Sequence, residues 1–470
     1  MSELQIGLLI LIATLVVLFS GLPIAWGLIL VSVSFLTIFE GPMFLDNVAV
    51  VMMDELASFA LLTIPLFILL GSAVGGTNAG RDLYESLHRW LVRVPGGLVI
   101  ANVLACGIFS AISGSSPATA AAVGKAGVPE MLRRNISARL ATGSVCAGGT
   151  LGILIPPSIT MILYGIVTET SIGRLFLAGV IPGIMLVVLF AIYAWLSSLR
   201  SERLSGYIEQ QRYSLKEKMS GLLRVSPFIA IIVAIAYSMY GGIATPSEVA
   251  SLSAILALVL VAIIYKARSR KDQWKIFSET IRESTMILMI IAAAAVFSYM
   301  MSLLYVTQTA AQWLVDMELN RWVLMLVINL FLLLAGMFLP PVAIILMVMP
   351  ILTPVLEVNN FDLIWFAVIL TINMEIGLIT PPVGLNLYVL KGVVPNVSLK
   401  DILLGSMPFV FIMMGSMVLL SIFPQIALWL PSQMMGASQY SWASVVAGAR
   451  SERVARPRPR WQGLCFQPPL

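Results

Sequence analysis

The sequence predicts an all-α polytopic membrane protein built from inverted repeats, with two re-entrant hairpins and two broken helices. Hydrophobic residues make up 59% of the 470 residues and charged residues only 11%, whereas a soluble domain has about 45–50% and about 25%. Apolar runs of spanning or near-spanning length recur along the whole chain. In addition, two apolar stretches that contain a Pro pair repeat each other about half a chain apart.

The two Pro pairs predict the broken helices. Leu151–Pro157 reads LGILIPP and Ile376–Pro382 reads IGLITPP, with an offset of 377 − 152 = 225 residues. Proline removes a backbone donor and clashes with the preceding turn, so each stretch should break its helix within the membrane. Unpaired backbone groups survive at that depth only where they line a cavity or are buried in protein. Matching interrupted segments are typical of the binding site of a secondary transporter.

Charged residues predict the orientation of the chain in the lipid bilayer. The basic connections are residues 81–93, 133–139, 200–224 and 266–282, and the acidic ones are residues 46–55, 316–321 and 357–362. The positive-inside rule places the basic set in the cytoplasm and the acidic set outside, with the N-terminus outside. The net charge of +5 therefore needs no nucleic acid partner, because the basic residues have a topological role.

Two apolar segments each begin and end at connections of the same charge, basic for one and acidic for the other. Residues 97–128 begin and end at basic connections and contain the turn cluster SGSSP at 113–117. Residues 321–356 begin and end on the acidic side, with Gly336 and Pro340 at their turn. Each pattern indicates a re-entrant hairpin. Pro340 lies 225 residues after Ser115, and the hairpins enter from opposite faces, so the repeats should be inverted.

The offset also predicts the domain organisation. The first repeat is residues 1–225, with scaffold spans, the hairpin at 97–128 and a broken helix at 136–168. The second repeat is residues 226–431, with scaffold spans, the hairpin at 321–356 and a broken helix at 362–392. From residue 432 the sequence loses its spanning character, so residues 432–470 are predicted to be a disordered or non-native tail.

The first hairpin tip and the broken helices carry most of the polar groups. Hydroxyl oxygens of the tip and carbonyls of an unwound 149–152 segment suit a hard cation such as sodium. The second arm begins at Pro117, and its helix N-terminus suits a carboxylate. In the second repeat the polar groups are Asn373, Thr380 and Asn386. Serine and glycine also serve ordinary packing in membrane helices, but the inverted copy favours the ion or substrate interpretation.

Three ionisable residues have less definite roles. Glu375 is the one acidic side chain within a broken-helix run, and such a charge should face a cavity or a partner. It either has a role in coupling or in orienting the loop at Gly377, or is a structural carboxyl hydrogen-bonded to backbone in the break. Lys125 is predicted to snorkel toward the cytoplasmic face. His88 is predicted to be a surface residue rather than a proton relay.

Three longer motifs resemble a known family. Residues 109–119 read FSAISGSSPAT, residues 148–158 read GGTLGILIPPS, and residues 373–386 read NMEIGLITPPVGLN. With them the chain resembles the large membrane subunit of tripartite ATP-independent periplasmic (TRAP) transporters, of the dicarboxylate permease type. The resemblance covers roughly residues 1–431.

This resemblance implies an ion-transporter-superfamily fold that works by an elevator-like motion in the bacterial inner (cytoplasmic) membrane. It implies sodium-coupled import of an organic acid anion, with a C4-dicarboxylate first and sialic or other keto or sugar acids next. A periplasmic substrate-binding protein would deliver the substrate, and a small four-helix membrane subunit would brace the chain. Two or more sodium ions would be transported with each substrate.

The resemblance also implies the site residues. The first sodium site would be formed by Ser113, Gly114, Ser115, Ser116 and Gly152. Gly336, Gly377 and Thr380 would contribute to a second. The substrate would be bordered by Ser116, Thr150, Pro157, Asn373 and Asn386.

The rival interpretations differ in class. A stand-alone sodium–carboxylate symporter of the same architecture would work without partner proteins. An intramembrane enzyme is disfavoured, because the sequence has no HExxH or GxGD motif and no histidine placed to serve a nucleophilic serine. A channel is disfavoured because hairpins that occlude the midplane suit alternating access. The three cysteines form no spaced set, so they indicate neither a disulfide nor a metal centre.

Overall fold

The computed structural model describes residues 2–200, 213–316 and 320–436. These residues form α-helices and two short 3-10 helices, and none of them lies in a β-strand. The helices of the first half are α1 (Glu3–Phe19), α2 (Ile24–Phe39), α3 (Asp46–Leu56), α4 (Thr63–Gly75), α5 (Ala79–Leu91), α6 (Gly97–Ser113), α7 (Ser116–Arg133), α8 (Ala138–Leu154), α9 (Ile159–Val167) and α10 (Ile172–Arg200). Those of the second half are α11 (Leu215–Tyr240), α12 (Pro246–Ile264), α13 (Arg270–Leu303), α14 (Val306–Asp316), α15 (Arg321–Gly336), α16 (Pro341–Val358), α17 (Leu363–Leu378), α18 (Leu385–Val393), α19 (Leu399–Ile422) and α20 (Gln425–Met435).

Several of these helices have the length and composition of membrane spans. Among the described residues, seven helices are long and apolar enough to cross a membrane, with α8 and α9 taken together as one. The pair Pro42–Leu56 and Phe59–Gly75, bent by 58°, makes an eighth candidate. Helical spans satisfy every backbone group internally, which a bilayer requires. The prediction of an all-α polytopic membrane protein is confirmed.

Polar residues fix where several helices begin. Ser214 and Thr245 cap α11 and α12, and a glutamate three residues later closes a capping box at each. The carboxylate of Asp362 accepts hydrogen bonds from the N–H groups of Ile364 and Trp365 at 2.8 and 3.0 Å. These caps satisfy backbone donors that the first helical turn leaves without partners.

One succession of helices occurs twice. In α6–α9 a tight turn joins the first two helices and a short break separates the last two, and α15–α18 have the same arrangement. α7 and α16 are both 18 residues long, and the start of α16 lies 341 − 116 = 225 residues after that of α7. The Pro156–Pro157 and Pro381–Pro382 bonds in the two breaks are both cis.

Some element ends differ from the predicted boundaries. α7 continues to Arg133, past the expected hairpin end at residue 128, because the buried Met131 keeps packing against the core. α20 continues to Met435, so residues 432–435 of the predicted tail are helical. The remainder of that tail, residues 437–470, lies outside the described residues, as do residues 201–212 and 317–319.

The amphipathic helix α5 packs against α6, α7 and α11. Its Asp82 accepts hydrogen bonds from the Tyr265 hydroxyl at 2.8 Å and from Arg224 at 3.4 Å. Burial raises the pKa of Tyr265, and the hydrogen bond to Asp82 raises it further. The prediction that His88 is a surface residue was wrong, because the imidazole is buried and stacks on Tyr84.

Helix α8 lies at the centre of the packing. It contacts α6, α7, α10 and α19, and α8–α9 is the most deeply buried of the seven candidate spans. The Tyr164 hydroxyl of α9 donates to the carbonyl of Leu363 at 2.7 Å, which joins the first broken helix to the start of the second. The two breaks and the two hairpin turns are therefore held within one core.

Candidate functional site

The first hairpin turns sharply at Gly114. α6 ends at Ser113, Gly114 adopts a left-handed conformation with φ +60°, and α7 begins at Ser116. Such a backbone conformation favours glycine. The carbonyl of Ser115 accepts a hydrogen bond from the Thr119 hydroxyl at 2.9 Å. No side chain caps the start of α7, and because Pro117 has no N–H, the uncapped donors there are the N–H groups of Ser116 and Ala118.

The tip of this hairpin packs against the break between α8 and α9. A Cβ added to Gly152 would lie 2.8 Å from the carbonyl carbon and oxygen of Ser115, so only glycine permits this approach. A Cβ on Gly114 would lie 2.9 Å from the carbonyl oxygen of Pro157. The predicted residues Ser113–Ser116, Gly152 and Pro157 are therefore brought together.

The second hairpin and the second break meet in the same way. α15 ends at Gly336 and α17 at Leu378, and a Cβ on Gly377 would overlap the backbone of Gly336. The N–H of Val383 donates to the carbonyl of Met337 at 3.3 Å. The structure thus brings Gly336 and Gly377 together. The hydroxyl of Thr380, just past the end of α17, donates to the carbonyl of Ile376 at 2.8 Å.

One hydrogen bond connects the two halves of the site. The Ser116 hydroxyl donates to Oε1 of Glu375 at 2.6 Å, and Ser116 and Glu375 are 0% and 1% exposed. The backbone of Ile153 in α8 also lies close to this carboxyl, so Glu375 contacts both the first hairpin and the first broken helix.

Two buried asparagines differ in how their amides are used. The Asn373 amide nitrogen donates to the carbonyl and Oδ1 of Asn329 at 2.9 and 3.0 Å. Both side-chain polar atoms of Asn386 lack a partner among the described residues, although Asn386 is 0% exposed. An unpaired buried amide is costly, and it is one of the groups expected at a ligand site. Asn329 is absent from the site residues predicted from the sequence, although a lone amide in the apolar run of α15 is itself a signal.

Thr150 does not reach the hairpin tip. Its hydroxyl donates to the carbonyl of Ala147 at 2.6 Å and lies 3.9 Å from the sulfur of Met413 on α19. Gly149 and Gly152 share the face of α8 that packs on the hairpin, and the residue after Gly149 is turned about 100° from that face. The helix rotation explains why Thr150 packs away from the predicted substrate site.

A cavity of about 1310 Å³ leads from Ser113 and Ser115 to the basic connections, and we refer to it as the basic vestibule. Its charged lining residues are the cations Arg81, Arg89, Lys125, Arg133, Arg134, Lys275 and Arg282 and the carboxylates Glu85, Glu130, Glu279 and Glu283. Among the described lining residues, cations therefore outnumber carboxylates by three. An anion inside this cavity would experience a positive field.

The oxygen atoms at the tips are of the kind that sodium binds. Within the described ranges no group of three His, Cys, Asp or Glu side chains is placed to hold a metal ion. Hydroxyls of Ser113 and Ser116 lie beside the backbone of Gly152. Residues 149–152 are helical, within α8, so the prediction of an unwound segment there was wrong, and the break lies at residues 155–158. Neutral oxygen donors of this kind suit a hard monovalent cation that must bind and leave.

The profile of the family described as "Tripartite ATP-independent periplasmic transporter, DctM component" matches residues 11–426. The chain belongs to this family. It is therefore the large permease subunit of a TRAP transporter, and the prediction that it is not an enzyme is confirmed. The C4-dicarboxylate TRAP transporter large permease of Pseudomonas aeruginosa is 35% identical over 82% of this chain and 89% of its own length.

Other TRAP permeases are also similar. The C4-dicarboxylate permease of Rhodobacter capsulatus is 32% identical over 88% of this chain and 96% of its own length. Relatives at 28–31% identity are named as permeases for isethionate, sialic acid and ectoine. The crystal structure of the YdaH transporter of Alcanivorax borkumensis has a TM-score of 0.63 at 13% identity, over 83% of this chain and 90% of the other. That likeness shows the fold alone.

Proposed function

We propose that this TRAP permease subunit imports a small organic acid anion together with sodium across the bacterial inner membrane. The observation that carries the proposal is the contact of the first hairpin tip with the first helix break, where Gly152 packs on the backbone of Ser115. This contact places hydroxyls, carbonyls and an uncapped helix start side by side at the end of the basic vestibule.

Sodium is proposed to bind on the hairpin tips. The first site uses the hydroxyls and carbonyls of residues 113–116 with the carbonyl side of Gly152. The second uses carbonyls at Gly336 and Gly377, whose backbones are in contact, with Thr380 beside them. Carbonyl and hydroxyl oxygens bind a hard cation without requiring a buried fixed charge, and two such sites allow two or more ions per cycle.

The acid group of the substrate is proposed to bind at the start of α7. Its N–H groups have no side-chain cap, and the positive end of a helix dipole favours an anion. Asn386 contributes an amide that has no partner within the described part of the chain. Names of relatives favour a C4-dicarboxylate first, while those for sialic acid, isethionate and ectoine keep other small organic acids in the same class.

Alternating access is proposed to move the two hairpins and two broken helices as a unit. The Ser116–Glu375 and Tyr164–Leu363 hydrogen bonds tie the two halves of that unit together. The remaining spans would form the scaffold of an elevator-type transporter. With the basic connections in the cytoplasm, the basic vestibule would be the exit path on that side.

The partners proposed for this chain are a periplasmic substrate-binding protein and a small four-helix membrane subunit. The binding protein would deliver the substrate, and the small subunit would brace the scaffold. The competing arrangement is a stand-alone sodium–carboxylate symporter with the same sites. Both arrangements share the proposed chemistry and differ only in the need for these two proteins.

Reconstitution in proteoliposomes tests the proposal. The purified chain, its small subunit and its binding protein are combined, and uptake of labelled succinate, sialic acid and ectoine is followed with and without an inward sodium gradient. We expect uptake of one of these acids only with the gradient and all three proteins. Uptake by the chain alone would instead support the stand-alone symporter, and uptake that ignores sodium would refute the coupling.

A further inference from the structure

The wall of the basic vestibule formed by α7 contains a single charge between the tip and the cavity mouth. The lining residues of this wall after Ser115 are Ala118, Ala121, Ala122, Lys125 and Ala126, followed by the charged residues near the end of the helix. The small alanine side chains leave space between the tip and the exit. Lys125 is nine residues after Ser116, and because each helical residue rises about 1.5 Å, it lies about 14 Å along the helix from Ser116.

Most other cations of this cavity are compensated locally. Arg81 pairs with Glu85, Lys275 with Glu279, and both Arg133 and Arg134 with Glu130. Arg89 donates to the carbonyl of Glu217 at 3.0 Å.

Lys125 and Arg282 differ from these residues. Within the described part of the chain they form neither an ion pair nor a side-chain hydrogen bond, although both line the same cavity from different helices. The one lining carboxylate that also lacks an ion pair there is Glu283, which follows Arg282 directly. Together with Glu283, these two cations add one net positive charge to the lining of the vestibule.

We propose that Lys125 of α7, with Arg282 of α13 in the lining of the same cavity, forms an intermediate subsite for the carboxylate group of the transported anion. This inference rests on the proposed function, in which an organic acid leaves through the vestibule. An exposed lysine attracts a carboxylate from the tip without holding it tightly, because water screens the pair. A pathway conducts only when each site along it binds strongly enough to admit the ligand and weakly enough to release it.

The electrostatic effect of Lys125 inside the vestibule can be measured without transport, from the rates at which charged reagents modify a nearby thiol. Ala118 is exposed to the vestibule and lies two helical turns from Lys125, so Ala118→Cys places a thiol about 10 Å from the lysine. Cys465 is replaced by serine, while Cys106 and Cys146 are buried. The full-length chain in detergent is treated with 2-sulfonatoethyl or 2-(trimethylammonium)ethyl methanethiosulfonate, and the ratio of the anionic to the cationic rate is recorded.

The ratio should fall about fourfold in Lys125→Gln, because a unit charge at about 10 Å in water changes each rate about twofold in opposite directions. The experiment is run near 0.01 M salt, where the screening length is about 30 Å. Lys125→Arg should keep the ratio. Lys216→Gln, which removes an equal charge from α11 outside the vestibule, should also leave it unchanged.

Succinate provides the second measurement. In potassium buffer without sodium, at constant ionic strength, succinate should slow the anionic reagent at Ala118→Cys, and this protection should disappear in Lys125→Gln. An unchanged rate ratio in Lys125→Gln, or protection that survives the substitution, overturns the subsite. Neither measurement depends on uptake. A failure of sodium-coupled transport would therefore refute the proposed function, while these two measurements would still decide whether the subsite exists.

Discussion

The Ser116 hydroxyl donates a hydrogen bond of 2.6 Å to Glu375 Oε1, across 259 positions of the sequence. Ser116 is the first residue of α7, and Glu375 lies in the last turn of α17. The sequence left two roles open for Glu375, coupling or a structural bond to the backbone of its own break. The observed partner is a side chain of the first hairpin, so Glu375 connects the two halves of the site.

Removing this hydrogen bond should destabilise the protein. We expect Ser116→Ala to lower the free energy of unfolding by about 1.5–3 kcal/mol, because a buried carboxyl loses its donor. Ser110→Ala is the matched control, since the buried Ser110 hydroxyl has no partner among the described residues. Denaturation of the two variants in detergent compares them directly. Equal loss in both would show that the Ser116–Glu375 bond does not stabilise the fold.

The close approach of the first hairpin to the first break should be sensitive to one methyl group. In Gly152→Ala the new Cβ would lie 2.8 Å from the backbone of Ser115, so the tip must shift and its oxygens separate. We expect sodium-dependent uptake by the reconstituted complex to fall at least about tenfold, as misplacement of a positioned group costs this much or more. Gly415→Ala, with nothing within 4 Å of its Cβ, should retain uptake. Similar rates in the two variants would contradict the proposed first sodium site.

The local features of the site could be predicted from sequence, whereas its long-range pairings could not. The Pro pairs and the SGSSP turn act through local backbone chemistry, so the breaks near Pro156 and Gly114 follow from the residues themselves. The partner of Asn373 and the direction of Thr150 depend on how each helix is rotated about its axis. An apolar helix such as α17, buried on all sides, has no amphipathic pattern that fixes this rotation.

The contact of α5 with the neighbouring spans should depend on Tyr265. Tyr265→Phe removes the hydroxyl that donates to Asp82 at 2.8 Å and keeps the ring that stacks on Phe228. We expect the free energy of unfolding to fall by about 1.5–3 kcal/mol, the usual range for a hydrogen bond to a charged group. Tyr237→Phe serves as the control, because Tyr237 is 71% exposed. If both substitutions have the same small effect, Asp82 does not anchor α5 through this bond.

The side-chain amide of Asn386 should be needed for transport and not for the stability of the fold. Asn386→Leu keeps a similar side-chain volume and removes an amide that has no hydrogen-bond partner in the described residues. The melting temperature should therefore stay at or above that of the unmodified chain, while uptake by the reconstituted complex falls at least about tenfold because the substrate loses a polar contact. Asn329→Leu should show the opposite pattern in stability, since it breaks the hydrogen bonds to Asn373. A large loss of stability in Asn386→Leu would mean that this amide supports the fold, and would remove it from the proposed substrate site.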